Sequence, residues 1–345
     1  MTKTILITGA AGFIGSEFLR QTLEDTDYNV IILDCLSYAS NEEYMWRLLK
    51  GVPKERYDFS QQRLENLSPY WVKRLNLRSI DYVYHFAAES HVDNSNTNGK
   101  PFIDSNILGT YSLVEYLRKN HPELKCFFHI STDEVYGPSF NPSYADETFN
   151  LLSHYKESDR LAPTSYYAVS KASSEMIVQS AGRVHGFPHV ITRCANNFGN
   201  TQHNEKLIPK FIEKVLKGES FPLYGKGEQI REWVSSTRHG ECLFALTKFL
   251  GGKVQSGDIY NIGGYALTNK ELMDKILGIL DIPIADVKFD TSFDRPGHDL
   301  AYGINSTKLD TMVGGYAKDT FEKEFRNTVC YYRDNILSTK VLDYE

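Results

Sequence analysis

The chain has 345 residues, 41% hydrophobic and 24% charged, with a formal net charge of −6 at pH 7. That length allows two modest domains, or one large one with an appended lobe, in an ordinary globular composition. The acidic balance argues against a nucleic-acid partner or a polybasic membrane patch, and no apolar run approaches the ~20 residues that span a bilayer.

Thr4-Ile5-Leu6-Ile7-Thr8 is an apolar strand that runs at once into Gly9-Ala10-Ala11-Gly12-Phe13-Ile14-Gly15 and then a helix from Glu17 to Leu23. Leading directly from Met1, it leaves no room for a signal peptide. Glycines let a backbone approach a pyrophosphate, and the free N–H groups and dipole of a helix start attract it. Val30-Ile31-Ile32-Leu33 is a second strand ending at Asp34. An acid there accepts the ribose hydroxyls of NAD and repels a 2′-phosphate, so NAD is favoured over NADP; the plainer alternative is that Asp34 caps the next segment. Residues 41–80 mix helical stretches with polar turns. Ile80 to Ala88 forms another strand, leading into Ala87-Ala88-Glu89-Ser90-His91, and Asn106 to Lys119 a helix whose apolar stripe is Leu108, Leu113, Val114 and Leu117.

Phe127-Phe128-His129-Ile130 has the aromatic and β-branched character of a buried parallel strand and breaks into Ser131-Thr132-Asp133-Glu134. Ligands of an open α/β sheet sit outside the carboxyl ends of its strands, which puts a hydroxyl, an acid and a base at the mouth of a site. An adjacent Asp-Glu pair is also common as a helix-start charge cluster. In Tyr167-Ala168-Val169-Ser170-Lys171 the Tyr and Lys share one helical face. A Lys beside a Tyr favours the phenolate, lowers the phenol's pKa from about 10 and lets it take a proton from a sugar or alcohol hydroxyl. Such a spacing is frequent by chance; its weight comes from standing downstream of a nucleotide loop.

Val190-Ile191-Thr192-Arg193 leads into Cys194-Ala195-Asn196-Asn197-Phe198-Gly199, completing a Rossmann-like, doubly wound parallel sheet over roughly residues 1–200, with elements returning from about 235–262. Residues 201–345 read as a smaller, interleaved α+β substrate lobe. It contains helices Leu207 to Leu216 and Leu267 to Leu280, a turn-rich aromatic segment Phe221 to Gly227, and a short strand Gly257 to Ile262. Lys206, Arg231 and Arg295 are candidates to converge on a nucleotide diphosphate, though each singly reads as a solvated charge. The five cysteines are dispersed, which fits buried thiols in a reducing, cytoplasmic setting, and the ten histidines have no metal-ligand spacing, so no metal is expected.

The motif set resembles the extended short-chain dehydrogenase/reductase family, and within it the nucleotide-sugar 4,6-dehydratases of the dTDP-glucose type. Thr132-Asp133-Glu134 discriminates; further matches are Ala87 to Asp93, Asn196 to Gly199, Glu205 to Pro209, Gly227 to Arg231 and Arg295 to Asp299. The resemblance implies catalysis by Thr132, Asp133, Glu134, Tyr167 and Lys171. Tyr167, helped by Thr132 and Lys171, takes the C4 hydroxyl proton while NAD takes the hydride; Glu134 removes the C5 proton as Asp133 protonates the departing C6 hydroxyl; the hydride then returns to C6. It implies NAD binding by Gly9, Gly12, Phe13, Ile14, Gly15, Asp34, Leu36, Ser37, Leu64, Phe86, Ala87, Ala88, Ser90, Ser105, Tyr167, Lys171 and Asn197. The nucleotide-diphosphate hexose is held by Ser90, His91, the 132–134 triplet, Asn196, Lys206, Leu207, Pro222, Tyr224, Arg231, Asn269, Arg295 and His298. It also implies a homodimer through the helices around 106–119 and 167–183.

Seven positions at five places depart from the family pattern: Arg63-Leu64 for Asp-Ile beside the adenine, Glu232 for Asp, Thr237-Arg238 for an acidic pair, Asn94 for Arg and Asn200 for Pro. They leave dTDP or UDP as the open choice of nucleotide. The alternatives on the same scaffold are a 4-epimerase or a decarboxylase, against which Asp133 argues because an epimerase has no water to expel. A catalytically silent NAD sensor is the alternative from another class.

Overall fold

The computed structural model describes residues 2–75, 79–139, 154–292 and 299–342. Its centre is a seven-stranded sheet in which every pairing is parallel, built from β1 (Thr4–Thr8), β2 (Asn29–Asp34), β3 (Tyr57–Gln61), β4 (Tyr82–His85), β5 (Cys126–Thr132), β6 (His189–Cys194) and β10 (Ile259–Ile262), in the order β10-β6-β5-β4-β1-β2-β3. Alternate residues of the strands feed two cores on opposite faces. Ile5, Ile7, Val30, Ile32 and Phe128 join one, and Leu6, Ile31, Leu33, Val83 and Phe127 the other. That is the pattern of a sheet covered by helices on both sides. The chain winds outward from β1 through β2 and β3, then restarts on the other side of β1 with β4. The crevice at the β1/β4 boundary is therefore the switch point where such sheets bind ligands.

A second sheet combines β7 (Asn196–Phe198), β9 (Ile230–Ser235) and β11 (Tyr265–Thr268) in the order β11-β9-β7, and a two-stranded piece pairs β8 (Phe221–Pro222) with β12 (Phe289–Asp290). Both belong to a third core, around Phe198, Phe211, Trp233, Phe321 and Phe325, that also draws on the helices Leu207–Lys217, Asn269–Leu280 and Lys318–Leu342.

Several elements differ from the sequence reading. Strand β3 was hidden in the 41–80 stretch because an edge strand with only half-buried residues carries a weak apolar signal. Leu267 belongs to β11, and the following helix begins at Asn269 behind a capping box of Thr268 and Glu271. Regular α-helix starts at Gly109, because Ile103–Leu108 is a wider turn whose end bonds Gly109 N–H to the carbonyl of Asp104, five residues back. That rotation takes Leu108 off the buried stripe, leaving it 46% exposed while Leu113, Val114 and Leu117 stay inside.

Candidate active site

The glycine loop follows β1. Gly9 has φ 74°, and a Cβ there would stand 2.6 Å from the backbone nitrogen of Ala87, beyond the end of β4. A Cβ on Gly15 would collide with the carbonyl of Gly9, so the turn closes only with glycine at both positions. Gly12 begins the helix Phe13–Asp25 without any side-chain cap, and its first turn carries no acid. Its unpaired N–H groups and positive dipole end are thus left for an anion. Asp34, at the end of β2, accepts the Ala11 N–H through Oδ2 and the Leu36 N–H through Oδ1, each at 2.8 Å. Burial nonetheless holds its pKa above the ordinary carboxylate value. It thus does the capping of the plainer reading while also lining a cleft of about 340 Å³ that runs from the glycine loop to Glu134 and Lys206.

At the far end of the cleft β5 stops at Thr132, whose Oγ1 accepts the Glu134 N–H and bends the chain into a single 3₁₀ turn, Asp133–Tyr136. The Thr132 hydroxyl donates to Asp133 Oδ1 at 3.1 Å, while Oδ2 is buried with no protein partner. Burial and the neighbouring carboxylates of Glu134 and Glu232 push the Asp133 pKa up to about 8. A carboxyl in that state is a proton donor at neutral pH.

Tyr167 and Lys171 enter on the helix Tyr166–His185, started by Ser165, whose Oγ accepts the Ala168 N–H. Buried Lys171 donates to the carbonyl of Ile130 at 2.7 Å, and burial lowers its pKa to about 8. One turn on, Glu175 forms a fully buried ion pair with Arg193 of β6 at 2.7 Å, which locks the helix to the sheet. The Tyr167 phenol is raised, against the lowering expected from the Tyr-Lys spacing. Burial, then the charge of Glu134, hold it well above the ordinary value, and the hydrogen bond with Thr132 only partly offsets them. Lys171 is engaged with a strand carbonyl instead.

The residues expected at a cofactor line this one cleft, with the exception of Leu36, which is folded back at φ 53° with its N–H on Asp34. Of the expected substrate residues, Ser90, Thr132, Asp133, Glu134, Asn196, Lys206 and Leu207 line it as well. Lys206 Nζ donates to the Ser90 carbonyl at 3.2 Å, and His91 stands 3.9 Å from Glu205 at the same rim. Pro222, Tyr224 and Asn269 lie apart from it, the last two joined through Gln229. The Arg231 guanidinium is not open as a solvated charge would be. It is buried, donates to the carbonyls of Ile230, Leu300 and Asp299, and lies 4.4 Å over the Tyr302 ring. Arg295 and His298 fall outside the described residues.

Sequence reasoning missed Cys194, Gln202, Glu205 and Trp233 as cleft residues. Applied consistently, the strand-end rule would have found Cys194, the last residue of β6. Glu232, read from the sequence only as a departure from the family pattern, accepts the N–H groups of Gly264 and Ile304, and burial raises its pKa to about 7. Among the described residues no group of His, Cys, Asp or Glu is arranged to hold a metal ion.

Residues 5–263 match the model of the NAD dependent epimerase/dehydratase family. The chain belongs to that family. Among its members, dTDP-glucose 4,6-dehydratase 1 of Escherichia coli K12 is 38% identical, over 96% of this chain and 93% of its own. The crystal structure of a dTDP-glucose 4,6-dehydratase from Streptomyces venezuelae with NAD bound superposes with a TM-score of 0.83 at 36% identity, covering 96% of this chain and 97% of the other. An epimerase of the family is more distant in sequence: the UDP-N-acetylglucosamine 4-epimerase of Methanobrevibacter ruminantium shares 27% identity at a TM-score of 0.80, over 97% and 99% of the two chains.

Proposed function

We propose that the protein is an NAD-dependent nucleotide-sugar 4,6-dehydratase that converts dTDP-glucose, or UDP-glucose, to the 4-keto-6-deoxy sugar with loss of water. One observation carries the choice within the family. Asp133 is buried, its Oδ2 has no protein partner, and its pKa is raised to about 8 beside Glu134 at the end of β5. Epimerisation has no use for an acid held in reserve; expelling a hydroxyl does.

The cleft fits a dinucleotide. Its loop closes only with glycine, its helix start is uncapped, and Asp34 keeps lone pairs beyond the two N–H groups that it accepts. When bound, NAD supplies the hydride acceptor for C4 and, once reduced, the donor for C6. Tyr167 takes the C4 hydroxyl proton. Burial sets its phenol high, and within the site the hydrogen bond with Thr132 is what offsets that rise. The resulting 4-ketone acidifies the C5 proton, which Glu134 removes. Asp133 gives its proton to the C6 oxygen, the C6–O bond breaks, and water leaves. Glu134 then returns a proton to C5. Lys206 and Asn196 line the same cleft and would hold the sugar nucleotide there.

Residues 1–200 with the returning strand β10 form the cofactor half in this reading, and residues 201–345 the substrate lobe. Such a product feeds deoxysugar synthesis, rhamnose for example. Five free cysteines suit a cytoplasmic setting, and no helix among the described residues is long and apolar enough to cross a membrane. Apolar side chains on the outer faces of the helices Gly109–Asn120 and Tyr166–His185 support a homodimer. The deciding experiment incubates the protein with dTDP-glucose and, separately, UDP-glucose. The alkali-induced ultraviolet absorbance of a 4-keto-6-deoxy product is expected. A galactose isomer without that absorbance means an epimerase, and no conversion of either sugar means a sensor.

A further inference from the structure

Asn197 lines the cleft beside Asn196 and Ala195, and its side-chain amide is held at both ends. Its Nδ2 lies 2.9 Å from the carbonyl oxygen of Ala195, and its Oδ1 lies 3.0 Å from Nδ1 of His239. The Ala195 carbonyl only accepts, so the atom facing it is the NH₂ group and the atom facing His239 is the oxygen. An amide oxygen also only accepts, which puts a proton on Nδ1 of His239. The ring lies in the first turn of the helix Ser236–Lys248 and is 0% exposed; burial brings its pKa down to about 4, so it is neutral and carries a single N–H. Nε2 is therefore a bare lone pair, and it has no protein partner. A buried imidazole that leaves one nitrogen unsatisfied is retained at a cost, and the one bond that it does make is to a cleft residue. The edge of the ring also stands against Phe86, another wall residue, with centroids 6.5 Å apart.

We infer that His239 is a positioning residue: its Nδ1–H fixes the plane of the Asn197 amide, so that Asn197 presents one constant polar surface to the cofactor that the cleft would hold while hydride leaves C4 and returns to C6. The inference rests on the proposed dehydratase reading for the identity of what occupies the cleft. The backbone on either side is already fixed: Gln202 Nε2 donates to the Asn197 carbonyl, and Tyr332 Oη lies 3.0 Å from the Gly199 carbonyl. What His239 adds is therefore the orientation of the side-chain amide and not the course of the chain. An amide free to turn over would exchange a donor for an acceptor at the cofactor's edge, where a small misplacement reduces the rate of a two-way hydride transfer more than it weakens sugar binding.

Two measurements test this. The first is the ¹⁵N chemical shifts of the His239 ring in the wild-type protein, which distinguish the two neutral tautomers. The Nδ1–H form is expected, and the Nε2–H form would overturn the inference without any variant having to fold. The second follows cofactor reduction in a single turnover with dTDP-glucose. His239→Leu is expected to slow it roughly tenfold with KM for the sugar unchanged, and His239→Asn, whose NH₂ replaces the lost donor, to restore it. His239→Leu combined with Asn197→Leu should be no slower than Asn197→Leu alone. A Leu variant at the wild-type rate, no rescue by Asn, or additive losses would each refute it. Were the wild-type protein itself not to turn over the sugar, the dehydratase reading would fail, and the tautomer measurement would still decide the state of His239.

Discussion

Asp133 illustrates how burial converts a residue type into a chemical role. With an ordinary pKa near 4 an aspartate at pH 7 is a base. Raised to about 8 it holds its proton through the neutral range. Water loss should therefore be fastest below about pH 8 and fall as the pH rises through that value. Asp133→Asn, which cannot deliver a proton, should remove this alkaline limb together with most of the elimination rate, as read from the pH profile of product formation. The sign for stability follows from the same shift. A folded pKa above the unfolded one contributes stability at low pH that is lost as pH rises through the folded value, so the carboxylate burdens the fold above about pH 8. Asp133→Asn is expected to unfold at higher temperature than wild type at pH 9, by on the order of 1–3 kcal/mol; equal melting there would mean that the site solvates the charge. Tyr167→Phe tests the other end of the cycle. It keeps the ring and its packing and removes the proton acceptor, so cofactor reduction should drop by roughly 10²–10⁴ while sugar binding persists in a calorimetric titration.

At the level of elements, the site depends on where strands stop. β1, β2, β4 and β5 end in Thr8, Asp34, His85 and Thr132, and the loops that leave them furnish the cleft. Much of this was legible in the sequence, because the glycine loop and the Thr132-Asp133-Glu134 break interrupt apolar runs and state their chemistry locally. The behaviour of the Tyr-Lys pair was not. Spacing puts both side chains on one helical face, but the partner that Lys171 takes is the carbonyl of Ile130, forty-one residues away, and only the assembled sheet supplies it. Asp34 was half legible for the same reason, since its bonds to Ala11 and Leu36 join two loops that meet only in the fold. Asp34→Ala is accordingly expected to do two things: weaken NAD binding by ~1–3 kcal/mol, and lower the melting temperature of the cofactor-free protein as two N–H groups lose their acceptor. Weaker binding with unchanged melting would make those backbone bonds dispensable.

For the molecule as a whole, the helix that carries Tyr167 and Lys171 inward presents Tyr166, Val169, Met176 and Val184 outward, and its neighbour adds Leu108 and Tyr111. Side chains of this size exposed on adjoining helices form the kind of continuous apolar patch that monomers rarely leave to water. A second copy related by a two-fold axis would cover it with the same patch, so each residue would be used twice. Met176→Glu then places two charges in one interface. At about 2 kcal/mol for each, the cost is about 4 kcal/mol, or roughly three orders of magnitude in dissociation constant. Sedimentation velocity of the wild type at micromolar concentration should give a dimer, and the variant a monomer with an unchanged circular dichroism spectrum. A wild type that sediments as a monomer would leave the patch without this partner. Because Tyr166 and Tyr167 are adjacent on one helical turn, packing on the outer face also steadies the inner one. The monomeric variant should therefore keep its cofactor yet turn over more slowly than the dimer, and a monomer with full activity would show that the helix–sheet lock of Glu175 and Arg193 suffices alone.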